Sequence, residues 1–429
     1  MNEQIYYKAN QRQVGFWNDQ KKNNAYGKVS FSQGSIRLEN IEINALKKAY
    51  QALFRRHESF RTIFVNTSSG LKCIIKNFHI VDNEFLVFEN SINQSSIDKE
   101  VKKAISSLSC MDNAPLARGV LQYTSDNNAI FNFFLANIIA DGWSMKLFKE
   151  ELLFFYQEYK KDITFKVDIL KYQLKDYSDY LNKKKSLRIT ESIRCKLKQT
   201  KINTELFQLN DFDDISEEKI TQLLRNRNGN YIIKHLTKIN LDFIVNNLTT
   251  SVFSIFLTGL RVLFYKLFKI EEILVLSIFS NRFNNERKLV IGNLTGEVYI
   301  WDKINKDKKI SELIQQSYFS FLKSALKVQY NSEELCYNYF RSKIHIYFNY
   351  MDKNFTLNKK LDSDNNKFGF VESTYYLAVY VEDFEDGYRV IWKYNNELLS
   401  KGVVEMLAYN YNQILKNMES NLDYKTKDI

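Results

Sequence analysis

The sequence predicts an α/β protein made of two lobes of similar build. Three observations lead there. Segments with helical periodicity alternate with short apolar, strand-like runs through both halves of the 429 residues. Hydrophobic residues make up 45% of the chain, with 27 Tyr and 32 Phe, which is ample apolar surface for packed cores and excludes a disordered chain. One proline, Pro115, and 13 glycines leave few chain breakers, which favours long elements over a loop-rich fold. A chain of this length also exceeds what one small core can organise.

Taken in order, IEINALKKAYQALFRRHESF places Ile43, Leu46, Tyr50, Leu53 and Phe54 on one helical face, and the strand RTIFVN follows it. SSIDKEVKKAISSL reads as a helix opened by a serine cap. AIFNFFLAN carries Phe on both of its alternating faces, so a strand buried on two sides is expected. A helix with Met145, Leu147, Phe148, Leu152 and Tyr156 at its spacing comes next. The polar, cationic run LNKKKSLRITESIRCKLKQTK marks the lobe boundary, giving residues 1–180 and 181–429. Beyond it, one long apolar helix is expected from Leu241 to Phe268, and strands at Ile273–Phe279 and in IHIYFNY. YYLAVYV and YRVIWKYN flank Asp386-Gly387, a hairpin signal that puts Tyr388, Val390, Trp392 and Tyr394 on one face. The last helix contains Val404, Leu407, Tyr411 and Ile414.

Several function classes recede on composition. The four cysteines, Cys73, Cys110, Cys195 and Cys336, are far apart and form no CxxC or Cys/His cluster, so neither a disulfide framework nor a metal site is expected. The opening MNEQIYYKANQRQ lacks the apolar core of a secretory signal, and the most apolar stretch is interrupted by Arg261 and Lys266; a reduced, cytoplasmic protein without a membrane span is the expectation. Net charge is +11, but the basic residues are scattered, with no arginine-rich arm and no RNA-binding aromatic motif. That excess reads as a solvated basic surface, with an acidic protein partner as the next reading and nucleic acid set aside.

The strand ending at Ala136-Asn137 runs into Asp141-Gly142-Trp143-Ser144 and a helix. This stretch, LANIIADGWS, resembles the core HHxxxDG motif of the condensation domains of nonribosomal peptide synthetases, relatives of chloramphenicol acetyltransferase. KANQRQVGFW resembles the opening motif of that family, RRHESFRTIF its RHExLRTxF signature, PLARGVL its PLxRxxL run and KDYSDYL its YxDYA-type motif. SNRFNNERKLVIGNLTGEVYIW is similar to the GRxxxELxxxIGxFVNTLPLR region, and YYLAVYVEDFEDGYRVIWKYNNELL to the last strands. The likeness keeps the order of the family over nearly the whole chain. It implies two chloramphenicol-acetyltransferase-like lobes forming a V around a central tunnel. It further implies a monomer served in trans by acyl or peptidyl carrier proteins, each presenting its group on a phosphopantetheine arm, with no cofactor bound directly.

Thioester aminolysis needs the attacking ammonium to lose a proton and the tetrahedral oxyanion to be stabilised. The histidines that the family places for this are Ala136 and Asn137 here, and a carboxamide does not titrate near neutral pH. Asn137 can still orient an amine or donate to an oxyanion. The resemblance implies that Asp141 is a structural carboxylate paired with Arg61, that Gly142 permits close backbone packing, and that His57 is structural. Trp143 is expected as a wall of the tunnel and Ser144 as the N-cap of its helix. Arg282 and Asn349 are expected to line the substrate path, and His345 is the outside candidate for a base. Gly296 stands where IGxFVN ends on Asn, a second departure near the reaction centre.

Two functions are therefore carried forward. One is an atypical acyltransferase that forms an amide or ester without the usual histidine. The other is a non-catalytic module that recruits a carrier protein or a tailoring enzyme. Heterocyclisation, with its DxxxxDxxS pattern, fails because Ala136 replaces the first Asp, although Asp141 and Ser144 fit. The chain shows no adenylation or carrier segment, so the expectation is partners that come in trans or segments that have been trimmed away.

Overall fold

The computed structural model describes residues 5–23, 29–183, 216–226, 228–237, 239, 241–328, 346–352, 375–384 and 386–428. The fold is α/β. The described residues form two compact units, one holding those up to Lys183 together with Ser280–Thr295, the other holding those of Ser216–Phe279 and Gly296–Asp428.

The first unit opens with β1 (Ile5–Lys8) and α1 (Gln11–Asn23), followed by β2 (Phe31–Leu38), α2 (Ile43–Arg56), β3 (Thr62–Thr67), β4 (Gly70–Ile75) and β5 (Leu86–Phe88). Then come α3 (Gln94–Ser107), β6 (Ala117–Tyr123), β7 (Ala129–Ala136), α4 (Gly142–Lys161) and α5 (Leu174–Lys183). A three-stranded sheet has the order β1-β4-β3, and a four-stranded sheet the order β2-β7-β6-β5, in which only β5 and β6 run parallel. Tyr50 of α2 meets Phe54, Phe85, Phe131 and Phe148 ring to ring, and Phe133 stacks on Phe148 at 4.4 Å. These rings tie α2 and α4 to β7, whose second half is buried on both faces as its sequence suggests.

The opening motif now has a local reason. Asn10 Oδ1 accepts from the Gln13 N–H and Gln13 Oε1 accepts from the Asn10 N–H, both at 3.0 Å, a reciprocal cap on α1. Asn10 Nδ2 also donates to Ser178 Oγ at 2.9 Å, fastening α1 to α5. The cap of α3 is Asn93, whose side chain accepts from Ser95 N–H; the expected serine lies within the first turn.

The second unit contains α6 (Glu217–Asn226), β8 (Gly229–Thr237), α7 (Leu241–Leu248), α8 (Val252–Phe268), β9 (Glu272–Phe279), β10 (Gly296–Lys303), α9 (Ile310–Val328), β11 (Ile346–Met351), β12 (Leu377–Phe384), β13 (Gly387–Asn395) and α10 (Lys401–Ser420). Its six strands take the order β10-β9-β11-β12-β13-β8, with β11 parallel to both neighbours and the other pairs antiparallel. The expected hairpin is present, Phe384 facing Gly387 at its tip. One face of the sheet packs against the helices around Trp392 and Tyr411, whose rings cross at 5.4 Å; the other carries Leu274, Leu276, Tyr299, Tyr347 and Ala378.

The single long helix expected over Leu241–Phe268 is two helices bent by 100°. Thr249 takes a left-handed φ of 48°, and the Ser251 side chain accepts from Ser254 N–H to start α8 afresh. Arg261 is buried inside α8, where Nη1 donates to Ser317 Oγ at 2.7 Å and lies 3.6 Å from Asp302. Among the described residues no single helix is long and apolar enough to cross a membrane. Cys73 and Cys110 are unpaired, and Cys195 and Cys336 lie outside the described residues.

A single cut at residue 180 misses one feature. Ser280–Thr295, which links β9 to its antiparallel neighbour β10, belongs to the first unit. Its anchors are both polar and apolar: Tyr177 OH donates to Leu294 O, Ser59 Oγ donates to Ile291 O, and Leu174, Tyr177 and Leu181 form an apolar cluster with Val290 and Leu294.

Candidate functional site

The site grows from the junction of β7 and α4. β7 pairs with β2 through Ala136 opposite Phe31, and Asn137 extends the pairing by donating its N–H to Ser30 O at 3.0 Å. The half-buried Asn137 side chain lies between two hydroxyls of the partner strand. Its Oδ1 accepts from Ser32 Oγ at 2.8 Å, and its Nδ2 donates to Ser30 Oγ at 2.9 Å. Because serine hydroxyls can donate or accept, either orientation of the carboxamide satisfies this pair and leaves one N–H and one lone pair uncommitted. The carbonyl of Asn137 accepts from Asn293 Nδ2 at 2.7 Å, and Asn293 Oδ1 in turn accepts from Arg12 Nε at 3.1 Å and Thr295 Oγ1 at 2.7 Å.

Asp141 is extended (φ −130°, ψ −176°) and caps α4 itself, its Oδ1 accepting from Ser144 N–H at 2.8 Å. Ser144 is therefore not the cap; it stands in the first turn. Its hydroxyl accepts the Gly292 N–H at 3.0 Å and sits 2.8 Å from Asp141 Oδ1 and 2.9 Å from Gly292 O, either of which can take its proton. Asp141 Oδ2 accepts from Leu294 N–H at 3.0 Å.

The cation beside Asp141 is Arg282. Its Nη2 donates to both carboxylate oxygens, at 2.9 and 3.0 Å, and to Gly292 O at 3.0 Å, while Nη1 donates to Val290 O at 2.8 Å and to Arg287 O. Their side chains are 1% and 2% exposed. This corrects two expectations. Arg282 does not present its guanidinium to a substrate, because a buried carboxylate and backbone carbonyls absorb it. Arg61 does not pair with Asp141. It donates from Nε to Phe54 O and from Nη1 to Lys76 O, both at 2.8 Å, and so satisfies a carbonyl in the last turn of α2.

Gly142 is exposed and an added Cβ would meet nothing within 4 Å, so close packing does not explain that glycine. In this loop the closely packed glycine is Gly292, where a Cβ would stand 2.6 Å from Leu174 Cδ1. Trp143 is half-buried and its Nε1 donates to Lys288 O at 2.9 Å. His57 is buried, with Nε2 2.6 Å from Glu151 Oε2, and Arg56 Nε reaches Glu151 Oε1 at 3.1 Å. Burial pushes the Glu151 carboxyl up, but the His57 hydrogen bond and the charges of His57 and Arg56 outweigh it and hold the group below the usual carboxylate range. Asn349 is half-buried on β11, opposite Tyr380, and shares the face of Tyr347. His345 lies outside the described residues.

Sequence reasoning singled out Asn137, Asp141 and Arg282, and the structure brings all three into one network. It missed Ser30, Ser32 and Asn293. The serines sit in VSFSQG at alternate positions, a pattern that any half-exposed edge strand carries, so nothing in it pointed to Asn137.

This arrangement is a strand end, a capped helix and a returning loop, locked by one buried ion pair and offering a fixed carboxamide in place of an imidazole. Similar proteins exist. Bacitracin synthase 2 of Bacillus licheniformis is 23% identical over 390 residues, covering 88% of this chain and 14% of that protein. The chain spans only 2% of the length of two other synthetases it matches. Among solved structures, the epimerization domain from the third module of tyrocidine synthetase B superposes with a TM-score of 0.76 at 15% identity, covering 97% of this chain and 98% of that one. The X-domain in its complex with OxyB from teicoplanin biosynthesis gives 0.75 at 14% identity, covering 100% and 96%. The model of the Condensation domain matches residues 3–429, and the chain belongs to the condensation-domain family of nonribosomal peptide synthetases.

Proposed function

We propose that this protein is an atypical condensation domain that joins carrier-bound acyl or aminoacyl thioesters into an amide or ester, with Asn137 acting as a hydrogen-bond donor rather than a base. The observation that carries this reading is the clamped carboxamide: Ser30 and Ser32 fix its plane and one of its N–H groups has no acceptor among the described residues. A preorganised donor of this kind stabilises the oxyanion of a tetrahedral intermediate by roughly 3 kcal/mol. The amine nitrogen forms the new C–N bond, the C–S bond to the phosphopantetheine arm breaks, and the proton lost by the amine ends on the departing thiolate. The carboxamide at position 137 cannot take the proton of an ammonium, so that proton goes to solvent beforehand and the acceptor arrives as the free amine, and about 10²–10⁴-fold of general-base assistance is forgone. The carriers serve as partners in trans to a cytoplasmic monomer.

The second reading, a module that binds a carrier or a tailoring enzyme without catalysis, is favoured by a different observation. Every oxygen of Asp141 is engaged inside the protein, so the one kept carboxylate of the motif has a structural occupation. A solved relative of this fold stands in complex with OxyB.

The experiment mixes the protein with a donor carrier charged with an aminoacyl thioester and an amine acceptor, and follows the amide by mass spectrometry. Catalysis predicts turnover that rises with pH as the acceptor amine deprotonates and that falls about 10²–10³-fold in Asn137→Ala. Absence of product from the wild type, with product from Asn137→His, would overturn catalysis and leave the binding module.

A further inference from the structure

A wide groove crosses the first unit, away from the Asn137 site. Its walls are α2, the bend that follows β4, and the segment leaving α4, and it encloses about 1070 Å³. Small-ligand pockets run up to about 1,000 Å³ and bury most of their ligand. This one is open and lies at the top of that range, so it fits a length of polypeptide better than a metabolite.

The charge of its walls is one-sided. Lys48, Arg55, Arg61, Lys76 and Lys166 line it, and among the described lining residues Glu58 alone is acidic. That carboxylate is already held by Lys175 Nζ at 2.8 Å. None of the five cations makes an ion pair among the described residues. Arg55 lies over the Phe78 ring at 4.6 Å, which fixes its guanidinium at the wall. Arg61 spends Nε and Nη1 on backbone carbonyls and makes no direct ion pair among the described residues; burial lowers its pKa against the more distant pull of Glu58.

The groove is also apolar at its rim. Ile80 is 69% exposed, Ile163 46% and Ile169 73%. Three branched aliphatic side chains held in water beside unpaired cations form one two-character surface.

We propose that this groove docks an acidic amphipathic helix of a partner protein. Carboxylates on one side of the helix meet Lys48, Arg55, Lys76 and Lys166, and aliphatic side chains on the other cover Ile80, Ile163 and Ile169. A net charge of +11 steers such a partner toward the protein from a distance. Docking here does not depend on whether Asn137 supports chemistry, so each proposal can fail without the other.

The probe is a fluorescein-labelled synthetic amphipathic helix with glutamates on one face and leucines on the other, read by anisotropy against the whole protein. Binding is expected to weaken about tenfold for Lys76→Glu/Lys166→Glu and again for Ile163→Asp/Ile169→Asp. A peptide of the same composition, scrambled to destroy its apolar face, should bind at least about tenfold more weakly. Equal affinity for the scrambled peptide, or unchanged affinity in both variants, overturns the proposal. So does capture of phosphatidylserine vesicles through the same residues without peptide binding, which makes the groove a membrane-surface site. Lys166→Glu alone, on an exposed loop, keeps the test valid if the Lys76 change disturbs folding.

Discussion

Arg282 and Asp141 are separated by 141 residues of chain and meet as a buried ion pair, with Nη2 2.9 Å from one carboxylate oxygen and 3.0 Å from the other. The pair joins the cap of α4 to the loop between β9 and β10, so one contact organises both the motif and the segment that returns to it. Removing either partner leaves a charge buried in a site that cannot hydrate it.

Arg282→Met is expected to destabilise the protein by about 3–5 kcal/mol, and Asp141→Asn by a similar amount. The double variant should lose less than the sum of the two, because neither charge is then stranded. Arg61→Ala should lose less than either, since it removes hydrogen bonds to carbonyls that water can partly replace. Urea denaturation of the four variants measures this; strict additivity of the Asp141 and Arg282 changes would refute the pairing.

Gly292→Ala should destabilise by about 1–3 kcal/mol, because its Cβ lands 2.6 Å from Leu174 Cδ1 in a packed cluster. Leu174→Val in the same chain should recover part of that loss. Thermal melts of the single and double variants decide it.

The pH dependence of stability should carry the mark of Glu151. Its folded pKa is depressed, so its contribution is complete above the unfolded carboxylate value and disappears as pH falls through the folded one. Melting temperature followed from neutral pH down through the acid range should therefore fall more steeply for wild type than for Glu151→Gln. Parallel curves would show that His57 and Arg56 do not hold this carboxylate.

Much of the fold was legible because hydrophobic periodicity is a local signal. The face of α2, the two-sided burial of β7 and the β12–β13 hairpin all follow from side chains within a few positions of one another. The bend between α7 and α8 was not, since VNNLTTSVF keeps an apolar rhythm through it and only the serine cap of α8 marks the restart. At the site, the identity of the residue at 137 and the burial of Asp141 as a paired carboxylate were within reach of the sequence, whereas the helix cap was assigned to Ser144 and belongs to Asp141. The partner of Asp141 was not. Arg61 and Arg282 are both arginines in family-like motifs, and choosing between them needs to know where the chain comes back.

That return has a consequence for how the protein can be divided. A fragment ending at Lys185 would carry the whole HHxxxDG-like stretch and every strand of the first unit, yet it would hold Asp141 with no guanidinium beside it and the α5 cluster without Val290 and Leu294. The first half of the sequence encodes a shape that only the second half can close, so translation must pass residue 295 before the buried contacts around Asp141 can all form.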